Sequence, residues 1–169
     1  FKNYSSIDRS FMFDNLGYNI RLSEPQAALG LEQFKKLDSF VNSRRKIAKT
    51  LSNFFYKYED HISFIKPKVG AYSSWFGFPI ILKKEFSGYV KFIRNNLMKN
   101  NIESRPFLAG DFSIQPVSKK YKHLVFSDNK VCQEIQINGF ALPCHQSLTN
   151  DDLNYMIEIL EKIFKKIIK

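Results

Sequence analysis

The chain has 169 residues, 44% of them apolar and 17 of them Phe, enough apolar side chain to build a core and to exclude disorder. Lysine plus arginine exceed aspartate plus glutamate by 26 − 16 = 10, a balance that can attract nucleic acid, a membrane surface or a phosphorylated metabolite. The lysines are spread from Lys35 to Lys165, and no zinc-finger spacing, aromatic RNP-type strand or basic zipper accompanies them, so a solvated coat is expected rather than nucleic-acid binding.

Taken in order, residues 1–22 are irregular, aromatic and turn-rich. The first residue is Phe1 and the first Met is Met12, so a cut, processed or partial N-terminus is expected. Ser23-Glu24-Pro25-Gln26 is a helix start, with Ser23 as cap, Pro25 in the first turn and Gln26 at capping-box spacing. Ala27, Leu31, Phe34, Leu37, Val41, Ile47, Leu51 and Phe54 recur at three- and four-residue steps, which predicts one long helix through about Tyr58. His61–Ile65 and Tyr72–Leu82 are strand candidates, the second longer and mostly buried. Gly88–Lys99 returns to helical spacing, and Ile102–Phe107 is extended and stopped by Pro106. Residues 108–128 form a long loop with room for one helical turn. A short helix over Lys130–Ile137 and a short strand over Phe140–Pro143 follow. Thr149 and Asp152 then open a last helix, whose face is marked by Leu153, Met156, Leu160 and Phe164. The order is an α/β layout with helices packed on a small sheet.

Cys132 and Cys144 are expected to be reduced, since no secretory signal accompanies them. His61, His123 and His145 lack ligand spacing, so no metal site is expected. No apolar run approaches the ~18–20 residues of a membrane span, so a cytoplasmic protein without membrane partners is expected. There is no phosphate loop, nucleophile elbow or paired acidic motif, and at this level the residues name no reaction.

Two blocks say more. Gly17-Tyr18-Asn19-Ile20-Arg21-Leu22-Ser23-Glu24, followed by Gln26-Ala27-Ala28-Leu29-Gly30-Leu31, resembles the G-Y-N-x-R-[LM]-[ST]-[DE]-x-Q-A-A-[LI]-G stretch of the DegT/DnrJ/StrS family. Leu142-Pro143-Cys144-His145 through Leu148-Thr149-Asn150-Asp151-Asp152 resembles that family's stretch before its last helix. These are pyridoxal-phosphate enzymes acting on nucleotide-linked keto sugars. The resemblance implies the C-terminal portion of such an enzyme. Residues 1–22 would be an interface loop at the end of the large domain, 23–59 a long connecting helix, and 60–169 a small C-terminal α/β domain of the aspartate-aminotransferase (type I) fold. It also implies that the lysine or other residue acting at the cofactor lies upstream, that no catalytic residue lies in this chain, and that the chain alone is inactive.

Glu103-Ser104-Arg105-Pro106-Phe107-Leu108-Ala109-Gly110-Asp111-Phe112 resembles the R-P-x-x-A-G-[ND]-F pattern of the family's sugar 3-dehydratases, as Ser74-Trp75-Phe76-Gly77-Phe78-Pro79 resembles their S-W-F-G-F-P strand. The implied chemistry joins pyridoxamine phosphate to a 4-keto-6-deoxy nucleotide sugar and expels the C3 hydroxyl. The products would feed lipopolysaccharide, O-antigen or deoxysugar synthesis. A nucleotide-sugar aminotransferase of the same family, and a non-catalytic interaction domain, stand as alternatives.

Asn19 and Arg21 precede a helix N-terminus in a glycine-flanked loop, a place that suits an anion. In the family the corresponding loop crosses a homodimer interface toward the partner's cofactor phosphate; the plainer reading is a turn with Arg21 at the surface. Arg105, fixed in direction by Pro106, suits a phosphate, a carboxylate or sugar hydroxyls, the plainer reading being an exposed arginine on a strand end. Asp111 and Gln115 would add hydrogen bonds to the nucleotide-sugar substrate. His145 would lie near the substrate or bond a loop. Trp75, Phe76 and Phe78 read as core. Phe11 and Phe13 would line a nucleotide pocket or simply pack.

Overall fold

The computed structural model describes residues 7–18, 21–121 and 128–168. Helices α1 (Glu24–Phe34) and α2 (Leu37–Phe55) lead into a four-stranded sheet made of β1 (Ile62–Phe64), β2 (Gly77–Leu82), β3 (Arg105–Pro106) and β4 (Gly139–Pro143). Helices α3 (Tyr89–Lys99) and α4 (Lys130–Asn138) are interleaved with the strands, and α5 (Asn150–Ile167) closes the chain. The strand order is β1-β2-β4-β3, and every neighbouring pair is antiparallel.

Alternation along the strands decides where the core sits. Phe78 and Ile80 of β2 lie opposite Leu142 and Phe140 of β4, and all four are at most 1% exposed. Ile47, Leu51, Phe54 and Phe55 of α2, Ile93 and Leu97 of α3, and six residues of α5 complete one continuous core. Phe55 is its hub: its ring stacks on Phe78 at 5.8 Å and meets Phe164 edge-on at 5.8 Å. The amphipathic pattern of α5 begins at a reciprocal cap, in which Asp152 N–H donates to Thr149 Oγ1 at 3.1 Å and Thr149 N–H donates to Asp152 Oδ2 at 2.9 Å.

The predicted single long helix is two helices. Its start is as expected, with Ser23 N–H donating to Gln26 Oε1 at 2.9 Å. At the joint, however, Lys36 N–H bonds the carbonyl of Gln33, a three-residue step, and Lys36 takes φ −98°, ψ −3°. The physical reason is packing: α1 buries no residue, so nothing holds it in line with α2. Gly30 at its centre further weakens it.

The long loop is also more ordered than a single turn. It forms two 3-10 turns, Phe112–Ile114 and Pro116–Lys119, and a strap from the N-terminal segment lies on it. Gln115 is fully buried; its Nε2 donates to Phe11 O at 2.9 Å and its Oε1 accepts from Phe13 N–H at 3.1 Å. The side-chain amide thus replaces a strand's peptide group. Val117 N–H adds a bond to Phe13 O at 2.9 Å, and the Phe13 and Phe112 rings meet at 5.6 Å.

Candidate functional site

The corner where the Arg105–Gly110 loop meets the α4–β4 junction is fixed by two glycines. A Cβ on Gly110, whose φ is +66°, would stand 2.5 Å from Gln136 Oε1, and one on Gly139 would stand 2.4 Å from the Ile135 carbonyl. Glycine at 110 leaves room for the Gln136 side chain, and glycine at 139 lets β4 leave α4 against the Ile135 carbonyl. Gln136 Oε1 then accepts Asp111 N–H at 2.9 Å, which ties the loop to α4. At the tip, Leu108 holds a left-handed φ of 55°, a strained state for a branched side chain of the sort that clusters at ligand sites.

Beside this loop lies a cavity of about 590 Å³. Its walls come from the strap (Ile7, Asp8 and Phe11), from α3 (Lys91, Arg94 and Asn95) and from the corner itself (Phe107, Leu108 and Ile137). Asp8 and Arg94 join strap to helix, Arg94 Nη1 donating to Asp8 Oδ2 at 3.0 Å, while Nη2 donates to the Ser104 carbonyl at 3.3 Å. Burial raises the Asp8 carboxyl pKa, but the bonds from Arg94 and from Ser10 outweigh it and hold it below the ordinary value.

The residues expected from the sequence fall into different settings. Asn19 lies outside the described residues. Arg21 is exposed two positions before the Ser23 cap of α1. Arg105 opens edge strand β3 opposite Ala141; it is exposed, and its Nε donates to Glu103 Oε1 at 2.9 Å. Asp111 is 1% exposed and accepts from Ser113 N–H and Oγ, Asn129 Nδ2 and Gln133 Nε2. Burial pushes its carboxyl up and these donors pull it further down, leaving it below the usual carboxylate range. Together with Gln115, it organises the loop and the strap, and its acceptor sites are filled by protein.

His145 lies two residues beyond β4, exposed, its Nδ1 accepting from Ser147 N–H at 3.2 Å. Gly77 pairs with Pro143, so this end of the sheet also carries Trp75 and Phe76. Trp75 and Phe78 are core, as expected, whereas Phe76 is 81% exposed. Phe11 lines the cavity, while Phe13 packs on Phe112. The sequence reading missed Asp8, Lys91 and Arg94. The only available signal was the three-residue spacing of Lys91 and Arg94 on one face of a helix, which a solvated face also shows. Both cysteines are free; Cys144 is buried, and burial pushes its thiol up to about 11. Among the described residues, no helix is long and apolar enough to cross a membrane.

The chain is 34% identical over 161 residues to the GDP-4-keto-6-deoxy-D-mannose 3-dehydratase of Escherichia coli O55:H7, covering 95% of this chain and 41% of the relative. It is 29% identical to the lipopolysaccharide biosynthesis protein RfbH of Salmonella typhimurium, over 93% of this chain and 36% of that one. A solved structure of the E. coli GDP-4-keto-6-deoxy-D-mannose 3-dehydratase, with bound hydrated pyridoxal phosphate, superposes with a TM-score of 0.73 at 33% identity, covering 90% of this chain and 39% of its own. The chain thus spans about two fifths of the length of these relatives, and its α/β fold is that of the C-terminal part of the type I pyridoxal-phosphate enzymes. The profile of the DegT/DnrJ/EryC1/StrS aminotransferase family matches residues 1–161, and the chain belongs to that family.

Proposed function

We propose that the chain is the substrate-facing C-terminal portion of a cytoplasmic, pyridoxamine-phosphate-dependent enzyme that removes the C3 hydroxyl of a 4-keto-6-deoxy nucleotide sugar. Its product would serve lipopolysaccharide, O-antigen or deoxysugar synthesis. The observation that carries this reading is the Arg105–Gly110 loop, locked by Gly110 and Gly139 against α4 and β4 and lining the cavity. The similarity to the E. coli 3-dehydratase, which extends over 95% of this chain, supports it.

The residues present fit part of a pyridoxal-type cofactor site. Exposed Arg21, beside the N-terminus of α1, suits its phosphate, and Asn19 is assigned to the same task. Asp111, the buried carboxylate, is saturated by four donors and is not offered to a pyridine nitrogen. In this reading that carboxylate and the reacting base come from elsewhere in the enzyme, and Arg21 reaches the partner of a homodimer. When bound, the cofactor supplies an electron sink. This chain's own residues bind and orient. Arg105 takes a charged or hydroxyl group of the sugar nucleotide, and exposed His145 contributes a ring nitrogen at the other end of the sheet. Asp111 and Gln115 hold the loop and strap in register. Residues 1–22, 23–59 and 60–169 are accordingly assigned as interface loop, connector and small domain, with the connector jointed at Lys35–Lys36.

The family's description as aminotransferases favours a second reading, transfer of an amino group to the same keto sugar. The enzyme encoded with this chain should be incubated with GDP-4-keto-6-deoxymannose, pyridoxal phosphate and glutamate, and the sugar product examined by mass spectrometry. Loss of the C3 hydroxyl is expected. A product with that oxygen retained and an amino group at C4 would establish the aminotransferase reading instead. Formation of neither would leave the interaction-domain reading, which the exposed face of α1 favours.

A further inference from the structure

We propose that Gln115 is a positioning residue that locks the strap to the turn behind the Arg105–Gly110 loop, so that strap and loop open and close as one unit. Gln115 is fully buried, and both polar atoms of its side chain are spent on backbone. Its Oε1 accepts from Phe13 N–H at 3.1 Å, and its Nε2 donates to Phe11 O at 2.9 Å. These two partners flank Met12, the pattern that a residue of a neighbouring parallel strand makes. The same Nε2 also faces Ala109 O at 3.5 Å, a long contact back to the loop. A single side-chain amide thus meets the strap on one side and the loop on the other.

Each side of this lock is anchored separately. On the loop side, Asp111 N–H donates to Gln136 Oε1 at 2.9 Å, and the Asp111 carboxylate gathers Ser113, Asn129 and Gln133. Gln115 N–H donates to Phe112 O at 3.1 Å, closing the turn from which its side chain leaves. On the strap side, Val117 N–H donates to Phe13 O at 2.9 Å, and Asp8 ties the strap to Arg94 of α3. Withdrawing the amide leaves the Phe13 N–H and the Phe11 carbonyl without their partners, which favours release of the strap. The strap continues in sequence to Asn19 and Arg21, and the loop begins at Arg105. On the function proposed above, these residues serve the cofactor phosphate and the sugar nucleotide. The lock then couples a contact made across the dimer to one made within the chain. Gln115 acts through the backbone it holds, and both its polar atoms are already bonded.

Native-state hydrogen exchange of the 169-residue chain tests the lock. In the parent chain, the amides of Phe13, Val117 and Asp111 are expected to exchange through one shared opening, faster than those of α5. Asp8→Ala, which removes the Arg94 tie, should speed Phe13 and Asp111 alike, by about tenfold. In Gln115→Met, which keeps the length of the side chain and removes the amide, the same Asp8→Ala change should speed Phe13 and leave Asp111 unmoved. A merely structural Gln115 would instead speed all amides, α5 included, by one factor. That result would overturn the lock. So would an Asp111 amide that ignores Asp8→Ala in the parent, or one that still follows it in Gln115→Met. If Gln115→Met does not fold, Gln115→Asn, which keeps the amide and shortens its reach, serves in its place. In the enzyme encoded with this chain, Gln115→Met should raise KM for the keto sugar about tenfold and change kcat less, because it loosens a binding loop and touches no reacting atom. An unchanged KM would overturn the positioning role. If the exchange pattern holds but that enzyme neither dehydrates nor aminates a keto sugar, the lock stands and the functional reading falls.

Discussion

The two helices at the start of the chain both carry large apolar side chains and meet opposite fates. Helix α2 sends Leu51 and Phe55 to 0% exposure, into the core with Phe78 and Phe164. In α1, Leu29, Leu31 and Phe34 are each about 70% exposed. Apolar periodicity marks a face to be covered and does not say what covers it. In α2 the cover is this chain's own sheet. In α1 none of the described residues provides it, and the two helices are separated by a break at Lys35–Lys36.

That contrast can be broken from the buried side with the largest effect. Phe164→Ala removes a ring packed on Phe55 and Tyr58 and should cost about 3–5 kcal/mol in urea unfolding. A second loss, smaller but closer to the site, is expected for Gly110→Ala. The left-handed backbone and the approach of Gln136 make this a strained substitution of about 1–3 kcal/mol, and the cavity amides should shift while those of α5 stay in place.

Acid separates the strap from the core. The carboxyls of Asp8 and Asp111 lie below the ordinary value of 3.8 in the folded chain. Their contribution is therefore complete above that value and is lost as pH falls through the lower folded value. Between about pH 7 and pH 5 these two groups should not alter the urea midpoint, whereas below about pH 4 stability should decline. Asp8→Asn should flatten part of that decline; an unchanged acid profile in this variant would argue against the Asp8–Arg94 tie. The smallest effect is expected for Phe34→Ala, which should stay within ~0.5 kcal/mol of the parent chain. A loss comparable to that of Phe164→Ala would mean that α1 is covered after all.

How much the sequence tells follows the same division. The elements from β1 to α5 are legible in kind and order because alternation and helical spacing there answer to one core, but β2 starts at Gly77 rather than Tyr72 and β3 keeps only Arg105–Pro106 of 102–107; the cap of α5 is written in Thr149 and Asp152. The break at Lys35–Lys36 is not legible, because the apolar spacing runs on across it from Phe34 to Leu37. Of the site, the Arg105–Gly110 loop is readable as a motif, and Gly110 explains why the motif has a glycine there. The roles of Asp111 and Gln115 read differently in three dimensions. Their amide and carboxylate groups look like substrate contacts in a loop, but both are buried and bonded to backbone and loop side chains. Asp8 and Arg94 are 86 positions apart, and no local pattern links an irregular N-terminal segment to the polar face of a distant helix.

On the proposed function, ligand meets a part of the chain other than the one that holds it folded. Hydrogen exchange with and without GDP-mannose tests this most directly. Amides of α5 and β4 are expected to exchange slowly in both states, those of α1 quickly in both, and those of the Arg105–Gly110 loop to slow only when the sugar nucleotide is present. Protection of α1 as strong as that of α5 in the chain alone, or slowing that spares that loop, would contradict it.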